Sequence, residues 1–272
     1  MKASACPGRS CPIDPSSSNQ ASDAPRIDIG LVIPCYRESG RLPGFLPGLC
    51  DALAEGPAPL AEVLVVDDGS GPAEADALEG LIEPLRARHG FVRPLLRLPR
   101  NEGKGATIRA GWDELAGRCR LLAFTDADGA VPAPEVARIL RLASGLRGTV
   151  AVFASRAGSS RVERKPFRRV ASVLFRGLVH GLFPLPVRDT QCGLKAVPAD
   201  AYRAIRPALR EAGFLFDVEL ALNLVRHGCP LREEPVEWHE KGGSHLRARH
   251  GFGMFAALIG MRVRTRVRRG PG

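Results

Sequence analysis

Aromatic residues are scarce in this sequence, and long apolar runs are missing. Phe, Trp and Tyr make up 6% of the 272 residues, which argues against single-stranded nucleic-acid binding by base stacking. The best apolar run, GFGMFAALIGM at residues 251–261, is far shorter than the roughly 18 to 20 residues that a membrane-spanning helix needs. The sequence therefore predicts no integral membrane segment.

Cysteine is present but forms no metal-binding pattern. The seven cysteines are scattered, with no CxxC pair and no Cys/His cluster at zinc-finger spacing. This distribution predicts a reduced, cytoplasmic compartment. Residues 1–25 are rich in Pro, Ser, Ala and Cys and lack an apolar segment, so we expect a disordered leader and not a signal peptide.

The charge balance is basic, with 39 Lys and Arg against 29 Asp and Glu. Such an excess suits phosphate-rich partners, namely nucleotides, nucleic acid or an anionic membrane surface. Otherwise the composition is that of a globular protein, with 44% hydrophobic and 25% charged residues. One catalytic domain with an appended subdomain is expected.

The first half of the chain alternates apolar runs with helical patterns, which predicts an α/β fold with a mainly parallel sheet. The predicted strands are IDIGLVIPCY, LAEVLVVDDGS, FVRPLLRLPR, CRLLAFTDADG and TVAVFASR. VLVVDD and LLAFTD are continuous apolar runs, typical of strands buried on both faces. The second half is less regular and predicts an acceptor-side region, followed by a basic helix over residues 252–269.

Acidic side chains follow three of the predicted strands. They are Glu38, the pair Asp67 and Asp68, and Asp126 with Asp128. In an open parallel sheet, ligands bind beyond the carboxyl ends of the strands. The sequence therefore places these acids at one ligand-binding edge.

Asp126 and Asp128 form a DxD pair at the end of a buried strand. At an extended strand end, residues two apart point to the same side, so both carboxylates face one cation. Mg²⁺ and similar hard cations bind carboxylate and phosphate oxygens together. The pair predicts a divalent-metal and diphosphate site, and a solvated Asp-rich turn is the alternative.

Two more segments near these strands are candidates for nucleotide contacts. VVDDGS offers a carboxylate from Asp67 or Asp68 to a base or ribose, although Asp-Gly-Ser is also a common turn. NEGKGATIRAG joins a loop to a helix start, where backbone N–H groups and Lys104 are candidates to meet a phosphate. A helix-capping loop with a solvated lysine explains that pattern equally well.

The second half adds a candidate base and a candidate lid. Asp217 and Glu219 lie in the first turn of a predicted helix, and residues two apart on a helix point in nearly opposite directions. At most one of them is expected to reach a reacting hydroxyl, and Asp217 is the candidate. Acids in a first turn also favour the helix dipole. His239 and His245 flank KGGS, a loop that either contacts phosphates or is ordinary surface.

The motifs together resemble family 2 glycosyltransferases, in particular the dolichyl-phosphate glucosyltransferase and polyprenyl-phosphate mannosyltransferase type. The resemblance covers residues 28–246 and rests on VIPCYRESGRL, VVDDGS, NEGKGATIRAG, FTDADGA, RDTQCGLKAV, FDVELALNLVRHG and PVEWHEKGGSHL in this order. It implies the GT-A fold, a Rossmann-like nucleotide-binding half with an acceptor-side subdomain. It also implies a UDP-sugar or GDP-sugar donor, Mg²⁺ or Mn²⁺, and inversion at the anomeric carbon.

The resemblance also implies residue roles. The resemblance matches Pro34, Tyr36, Glu38, Asp67, Asp126, Ala127, Asp128 and Arg156 to the nucleotide sugar, and Asp68 and Lys104 are further candidates from the residue patterns above. Asp128, with Asp126, matches the metal position. The resemblance places Arg156, Lys195 and His245 at the acceptor or its phosphate, and Gln191, His239 and Ser244 are further candidates for that contact. Arg37 and His245 depart from the family pattern, which favours Asn and Lys there.

The expected organisation is a leader at residues 1–25, a catalytic domain at 26–249 and a basic amphipathic helix at 250–272. The catalytic domain divides into a nucleotide-sugar half, 26–156, and an acceptor half, 157–249. The basic stretch 161–176 and the arginine-rich end are expected to contact anionic lipid at the inner face of a membrane. A solvated basic face is the alternative.

The predicted function is metal-dependent, inverting transfer of a hexose to a polyprenyl or dolichyl-type lipid phosphate. The alternative is a soluble transferase of the same fold that acts on a hydroxyl of a small molecule or natural product. A sugar nucleotidyltransferase is disfavoured because its Gly-rich signature is missing. A nucleic-acid or membrane-surface binder rests on net charge and the arginine-rich tail MRVRTRVRR, and nucleic acid is not an expected partner.

Overall fold

A computed structural model describes residues 28–55, 60–157, 166–239 and 258–262, with the backbone alone for residues 166–173. Seven strands form one sheet. They are β1 (Ile29–Cys35), β2 (Ala61–Asp67), β3 (Leu96–Arg97), β4 (Leu121–Thr125), β5 (Ala151–Ser155), β6 (Leu194–Pro198) and β7 (Leu231–Pro235).

The strand order is β3-β2-β1-β4-β6-β5-β7. Neighbouring strands are parallel except around β6, which is antiparallel to both β4 and β5. Cys35 of β1 pairs with Asp67 of β2, so these two strands end level with each other. The mainly parallel sheet predicted from the sequence is confirmed, and β6 is an antiparallel strand inserted between two predicted strands.

Helices cover both faces of the sheet. On one face lie α1 (Leu46–Ala54), α2 (Pro72–Arg88) and α4 (Ala133–Gly145). On the other lie α3 (Lys104–Leu115), α5 (Pro166–Leu182), α6 (Ala199–Ile205) and α7 (Phe216–Arg226). Short 3₁₀ turns span Leu42–Gly44 and Arg206–Ala208. The result is a three-layer α/β/α arrangement.

Side chains of the central strands alternate between two apolar cores. In β1, Leu31 and Ile33 face the core under α1, α2 and α4, whereas Val32 faces the core under α3. Burial on both faces explains why these strands are continuous apolar runs. Trp112 of α3 is fully buried and donates its indole N–H to the Ala123 carbonyl at 2.9 Å, so it is a packing residue.

The predicted strand FVRPLLRLPR is much shorter than expected. Only Leu96 and Arg97 pair along the sheet edge, with an isolated bridge from Val92 to Val63. Pro94 and Pro99 bracket this segment, and proline has no N–H to donate to a ladder. The prolines therefore divide the pairing of this segment into the bridge at Val92 and the two-residue strand Leu96–Arg97.

Several sequence predictions concern residues outside the described ranges. They are the predicted leader, Ser244 and His245 of the predicted KGGS lid, and most of the predicted C-terminal helix. Residues 258–262 are helical, and Leu258 and Met261 join the core that contains α5 and α7. Across the described ranges, no helix combines the length and apolar character required to cross a bilayer.

Candidate active site

The acids predicted to share a ligand-binding edge do so. β1 lies between β2 and β4 and is parallel to both, so the residues following these strands emerge at the same edge. Arg41 contacts Glu38 Oε1 at 2.5 Å, and its charge also acts on Asp128. Burial, then the charges of Glu38 and Asp67, raise the pKa of Cys35 between them. Glu38, Asp67 and Asp128 therefore surround one region.

The loops after β1 and β2 are tied to each other. The Asp68 N–H donates to the Cys35 carbonyl at 2.8 Å, and the Arg37 N–H donates to Ser70 Oγ at 2.9 Å. Arg37 adopts a left-handed φ of 57° and stacks its guanidinium 5.2 Å from the ring centre of Tyr36. Pro34 and Tyr36 are half-buried at this rim.

The two aspartates of VVDDGS have different surroundings. Asp67 is 2% exposed and accepts a hydrogen bond from the Ser70 N–H at 3.2 Å, which closes the turn. Asp68 accepts hydrogen bonds from Asn101 Nδ2 and from the Glu102 and Gly103 N–H groups, at 2.8–3.0 Å. Asp68 therefore organises the loop that leads to Lys104, a role that the sequence did not indicate.

Lys104 turns toward two carboxylates. Its Nζ lies 2.7 Å from Asp126 Oδ1 and 3.8 Å from Asp217 Oδ2. Burial alone would lower the pKa of Lys104, but the charges of Asp126 and Asp217 outweigh it, so the pKa is raised. Lys104 is thus a fixed ammonium beside the DxD pair.

The start of α3 is not an open phosphate cradle. The N–H groups of Gly105 and Ala106 donate to the Ala212 carbonyl at 2.7 Å and 3.1 Å. The loop before α7 therefore caps this helix with a protein oxygen, and the predicted phosphate contact of these amides is wrong. The helix N-terminus needed an acceptor, and the chain itself supplies one.

Asp126 and Asp128 lie in a turn, not in extended strand geometry as predicted, because β4 ends at Thr125 and Gly129 adopts a left-handed φ of 64°. The Asp126 N–H donates to the Gly193 carbonyl at 2.9 Å, and Asp128 Oδ1 accepts from the Ala130 N–H at 2.9 Å. Burial, then the nearby charge of Asp126, raise the pKa of Asp128. The two carboxylates remain close enough to repel.

This pair of carboxylates fits a divalent cation that takes its remaining ligands from a substrate. No group of three or more His, Cys, Asp or Glu side chains suited to a metal occurs among the described residues. Mg²⁺ is commonly bound by one or two carboxylates together with phosphate oxygens. A cation here would relieve the repulsion between Asp126 and Asp128, and a diphosphate would complete its shell.

Asp217 and Glu219 of α7 point in different directions, as helix geometry predicted. Asp217 Oδ1 lies 2.8 Å from Lys195 Nζ, an ion pair whose orientation does not make it a hydrogen bond. Glu219 instead accepts hydrogen bonds from the Arg210 and Glu211 N–H groups, both at 2.8 Å. Asp217 therefore belongs to the site, and Glu219 holds the loop that caps α3.

Lys195 lies beneath the site and has no exposed surface. Its ammonium donates to the Cys192 carbonyl at 2.6 Å and lies about 5 Å above the rings of Phe124 and Phe153. The sequence placed Lys195 at an acceptor phosphate. That placement is corrected, because a fully buried ammonium with an internal carboxylate partner does not reach a ligand in this conformation.

A bidentate ion pair fixes the loop before β6. The Nε and Nη2 atoms of Arg156 each lie 2.7 Å from Asp189, whose carboxylate also accepts the Arg156 and Gln191 N–H groups. Burial alone would raise the pKa of Asp189, but Arg156 outweighs it and lowers the pKa to about 2. Asp189 was not among the predicted site residues, because an acid in a polar loop gives no local sign of burial.

The segment after β7 reaches the turn that carries Asp128. The His239 N–H donates to the Ala130 carbonyl at 2.8 Å, and the Arg156 guanidinium lies 5.9 Å from the ring centre of Trp238. The His239 ring lies 3.3 Å from Glu237. His239 and Arg156 are thus brought to the same edge as the acids.

The sequence of this chain is similar to those of known glycosyltransferases. The model of the family described as glycosyl transferase family 2 matches residues 31–204. A dolichyl-phosphate beta-glucosyltransferase of Drosophila melanogaster is 32% identical over 236 residues, covering 82% of this chain and 71% of the relative. The Homo sapiens protein of that name is 31% identical with the same coverage.

Two solved structures share the fold at low sequence identity. The mannosyltransferase PcManGT from Pyrobaculum calidifontis, in complex with GDP-Man and Mn²⁺, has a TM-score of 0.58 and 19% identity, covering 91% of this chain and 66% of that chain. Glucosyl-3-phosphoglycerate synthase from Mycobacterium tuberculosis, with Mn²⁺, UDP-glucose and phosphoglyceric acid, has a TM-score of 0.60 and 16% identity, covering 86% and 79%.

Proposed function

Since this chain belongs to glycosyl transferase family 2 and is a glycosyltransferase with the GT-A fold, we propose that it transfers a hexose to a polyprenyl or dolichyl-type lipid phosphate. The donor is a UDP-sugar or GDP-sugar, the cofactor is Mg²⁺ or Mn²⁺, and the anomeric carbon is inverted. The dolichyl-phosphate beta-glucosyltransferase relatives favour glucose as the sugar.

One observation carries the proposal, namely the convergence of Glu38, Asp67 and the DxD pair at the carboxyl edge of the sheet beside Lys104. Asp67 and the rim formed by Pro34 and Tyr36 suit the nucleoside. The DxD turn suits the diphosphate. The solved structures of similar fold contain GDP-Man or UDP-glucose together with Mn²⁺, which supports a nucleotide sugar and a divalent cation as ligands here.

The metal ion would be held by Asp128, with Asp126 beside it, and when bound it would neutralise charge on the departing diphosphate. Lys104 lies next to these carboxylates and would stabilise the same charge from the protein side. His239, whose side chain is 38% exposed beside this turn, suits an anionic acceptor, whereas Arg156 is held by Asp189 and fixes the loop before β6. Ala127, 4% exposed, lies in the turn between the two aspartates.

The surroundings of Asp217 favour a phosphate acceptor over a hydroxyl. A hydroxyl needs a positioned base, whereas a phosphate is already anionic near neutral pH. Asp217 is 2% exposed and flanked by two ammonium groups, so it is poorly placed to take a proton from an acceptor. Its role in the proposal is to balance those lysines, which replaces the base role expected from the sequence.

The test combines donor screening with transfer. UDP-sugars and GDP-sugars with Mn²⁺ or Mg²⁺ are first screened by thermal shift, because a bound ligand raises Tm. The best donor is then assayed with polyprenyl phosphate, and wild type is compared with Asp128→Asn and with Glu62→Gln. Glu62 is 9% exposed and pairs with Arg93 at 3.2 Å at the opposite edge of the sheet, so its variant controls for loss of a buried carboxylate.

We expect transfer to polyprenyl phosphate by wild type and by Glu62→Gln, and a loss of about a hundredfold or more in Asp128→Asn. Transfer to a water-soluble hydroxyl acceptor, with none to polyprenyl phosphate, would replace this proposal by the alternative of the same fold. Equal activity in Asp128→Asn and wild type would exclude the assigned site.

We also propose peripheral contact with an anionic membrane. Leu174 of α5 is 68% exposed and Ile259 is 44% exposed, and both lie in segments whose sequences are rich in arginine. Apolar side chains beside cations suit insertion at a lipid headgroup boundary. Sedimentation with vesicles of anionic or neutral lipid tests this, and equal binding to both, or to neither, would refute it.

A further inference from the structure

Four charged side chains form a line from the interior of the protein to the DxD turn. Lys195, Asp217, Lys104 and Asp126 follow each other at 2.8, 3.8 and 2.7 Å, with alternating sign. Their side-chain exposures rise along the line, from 0% through 3% and 15% to 38%. Only the outer members are accessible to a substrate.

We propose that Lys195 is a positioning residue that keeps Lys104 against Asp126. This rests on the proposed function, because Lys104 and Asp126 act there on the diphosphate. Asp217 is closer to Lys195 than to Lys104, 2.8 Å against 3.8 Å. With its charge balanced from the inside, Asp217 leaves Lys104 at the outer position, 2.7 Å from Asp126.

The residue that directly precedes β6, Gly193, also fixes Asp126 from below. Gly193 precedes Lys195 by two residues, its carbonyl accepts the Asp126 N–H, and the Asp126 side chain lies directly over it. β6 therefore sets both partners of the outer ion pair, Asp126 through Gly193 and Lys104 through Lys195 and Asp217. Lys195 does this without touching a ligand.

Removing the Lys195 charge has a defined structural consequence. In Lys195→Met, Asp217 keeps Lys104 as its one remaining partner in the line, so the Lys104 ammonium should move inward and leave Asp126. A crystal structure of this variant should show the separation between Lys104 and Asp217 shortened from 3.8 Å and the separation between Lys104 and Asp126 lengthened from 2.7 Å.

The functional test is a double-mutant cycle with Asp217→Asn. Each single variant leaves one buried charge without its partner and should lower Tm. The double variant, Lys195→Met with Asp217→Asn, removes both charges and should recover much of the lost Tm. We expect kcat to fall about 10- to 100-fold in Lys195→Met and to recover in the double variant, because no unbalanced Asp217 carboxylate then draws Lys104 away from Asp126. The double variant also gives a folded protein if a single variant fails to fold.

Two results would overturn the proposal. A Lys195→Met variant with a lowered Tm but wild-type kcat shows that Lys195 has a folding role alone. An unchanged position of Lys104 in Lys195→Met shows that Lys195 does not determine the position of Lys104 through Asp217. Absence of sugar transfer by wild type would refute the proposed function instead, and the crystallographic comparison of Lys104 would remain valid.

Discussion

Gly193 offers the sharpest test of the site because its surroundings leave no room for a methyl group. A Cβ added to Gly193 would lie 2.0 Å from Asp126 Oδ2 and 2.4 Å from Asp126 Cγ, whereas real Cβ contacts essentially never fall below 3.0 Å. In Gly193→Ala, the Asp126 carboxylate must therefore move by about 1 Å or more. Displacements of about 1 Å in a catalytic constellation cost on the order of a hundredfold in rate.

The assay compares kcat for Mn²⁺-dependent sugar transfer and Tm in wild type, Gly193→Ala and Gly80→Ala. Gly80 lies on α2 with nothing within 4 Å of its added Cβ, so its variant should keep full activity and gain about 0.5–1 kcal/mol in stability. In Gly193→Ala, kcat should fall on the order of a hundredfold. Tm should change little, because the added methyl group meets the end of a side chain. Wild-type kcat in Gly193→Ala would refute the claim that Asp126 is held in a functional position from below.

Three further predictions concern the supports of the site. Because Arg156 lowers the pKa of Asp189 to about 2 from 3.8, this carboxylate should contribute about 2 kcal/mol of stability that is present above about pH 4 and lost as pH falls toward about 2. The free energy of unfolding in urea should therefore differ between wild type and Asp189→Asn by an amount that decreases in acid. A difference that does not change with pH would contradict this prediction. Glu219→Gln weakens two hydrogen bonds to the loop that caps α3 and should cost about 1–3 kcal/mol of unfolding free energy, with kcat unchanged as the control. Asp68→Asn should lower kcat about tenfold by releasing the loop before Lys104, and an unaltered kcat would assign Asp68 to folding alone.

The sheet and the grouping of acids were predictable because both follow from local patterns. Apolar runs specify strands buried on two faces, and parallel strands bring their carboxyl ends to one edge. Glu38, Asp67 and Asp128 were therefore placed correctly relative to each other. The opposite directions of Asp217 and Glu219 likewise follow from helix geometry alone.

The contacts that depend on distant segments were not predictable in the same way. The capping of α3 by the Ala212 carbonyl joins residues about a hundred positions apart in the chain, so the sequence around Lys104 suggested an open helix start. The burial of Lys195 has a similar cause. A lysine in a polar motif suggests a surface cation, and only the position of β6 under the site shows that Asp217 and two aromatic rings enclose it.

The position of β6 also affects how this protein can be made. β4 and β5 do not pair with each other, because β6, encoded some forty residues after β5, lies between them. Residues through Pro198 must therefore be synthesised before the centre of the sheet can close, and a fragment that stops at residue 157 leaves one edge of β4 and both edges of β5 unpaired. The nucleotide half should accordingly aggregate when expressed alone and recover when the remaining segment is supplied in trans.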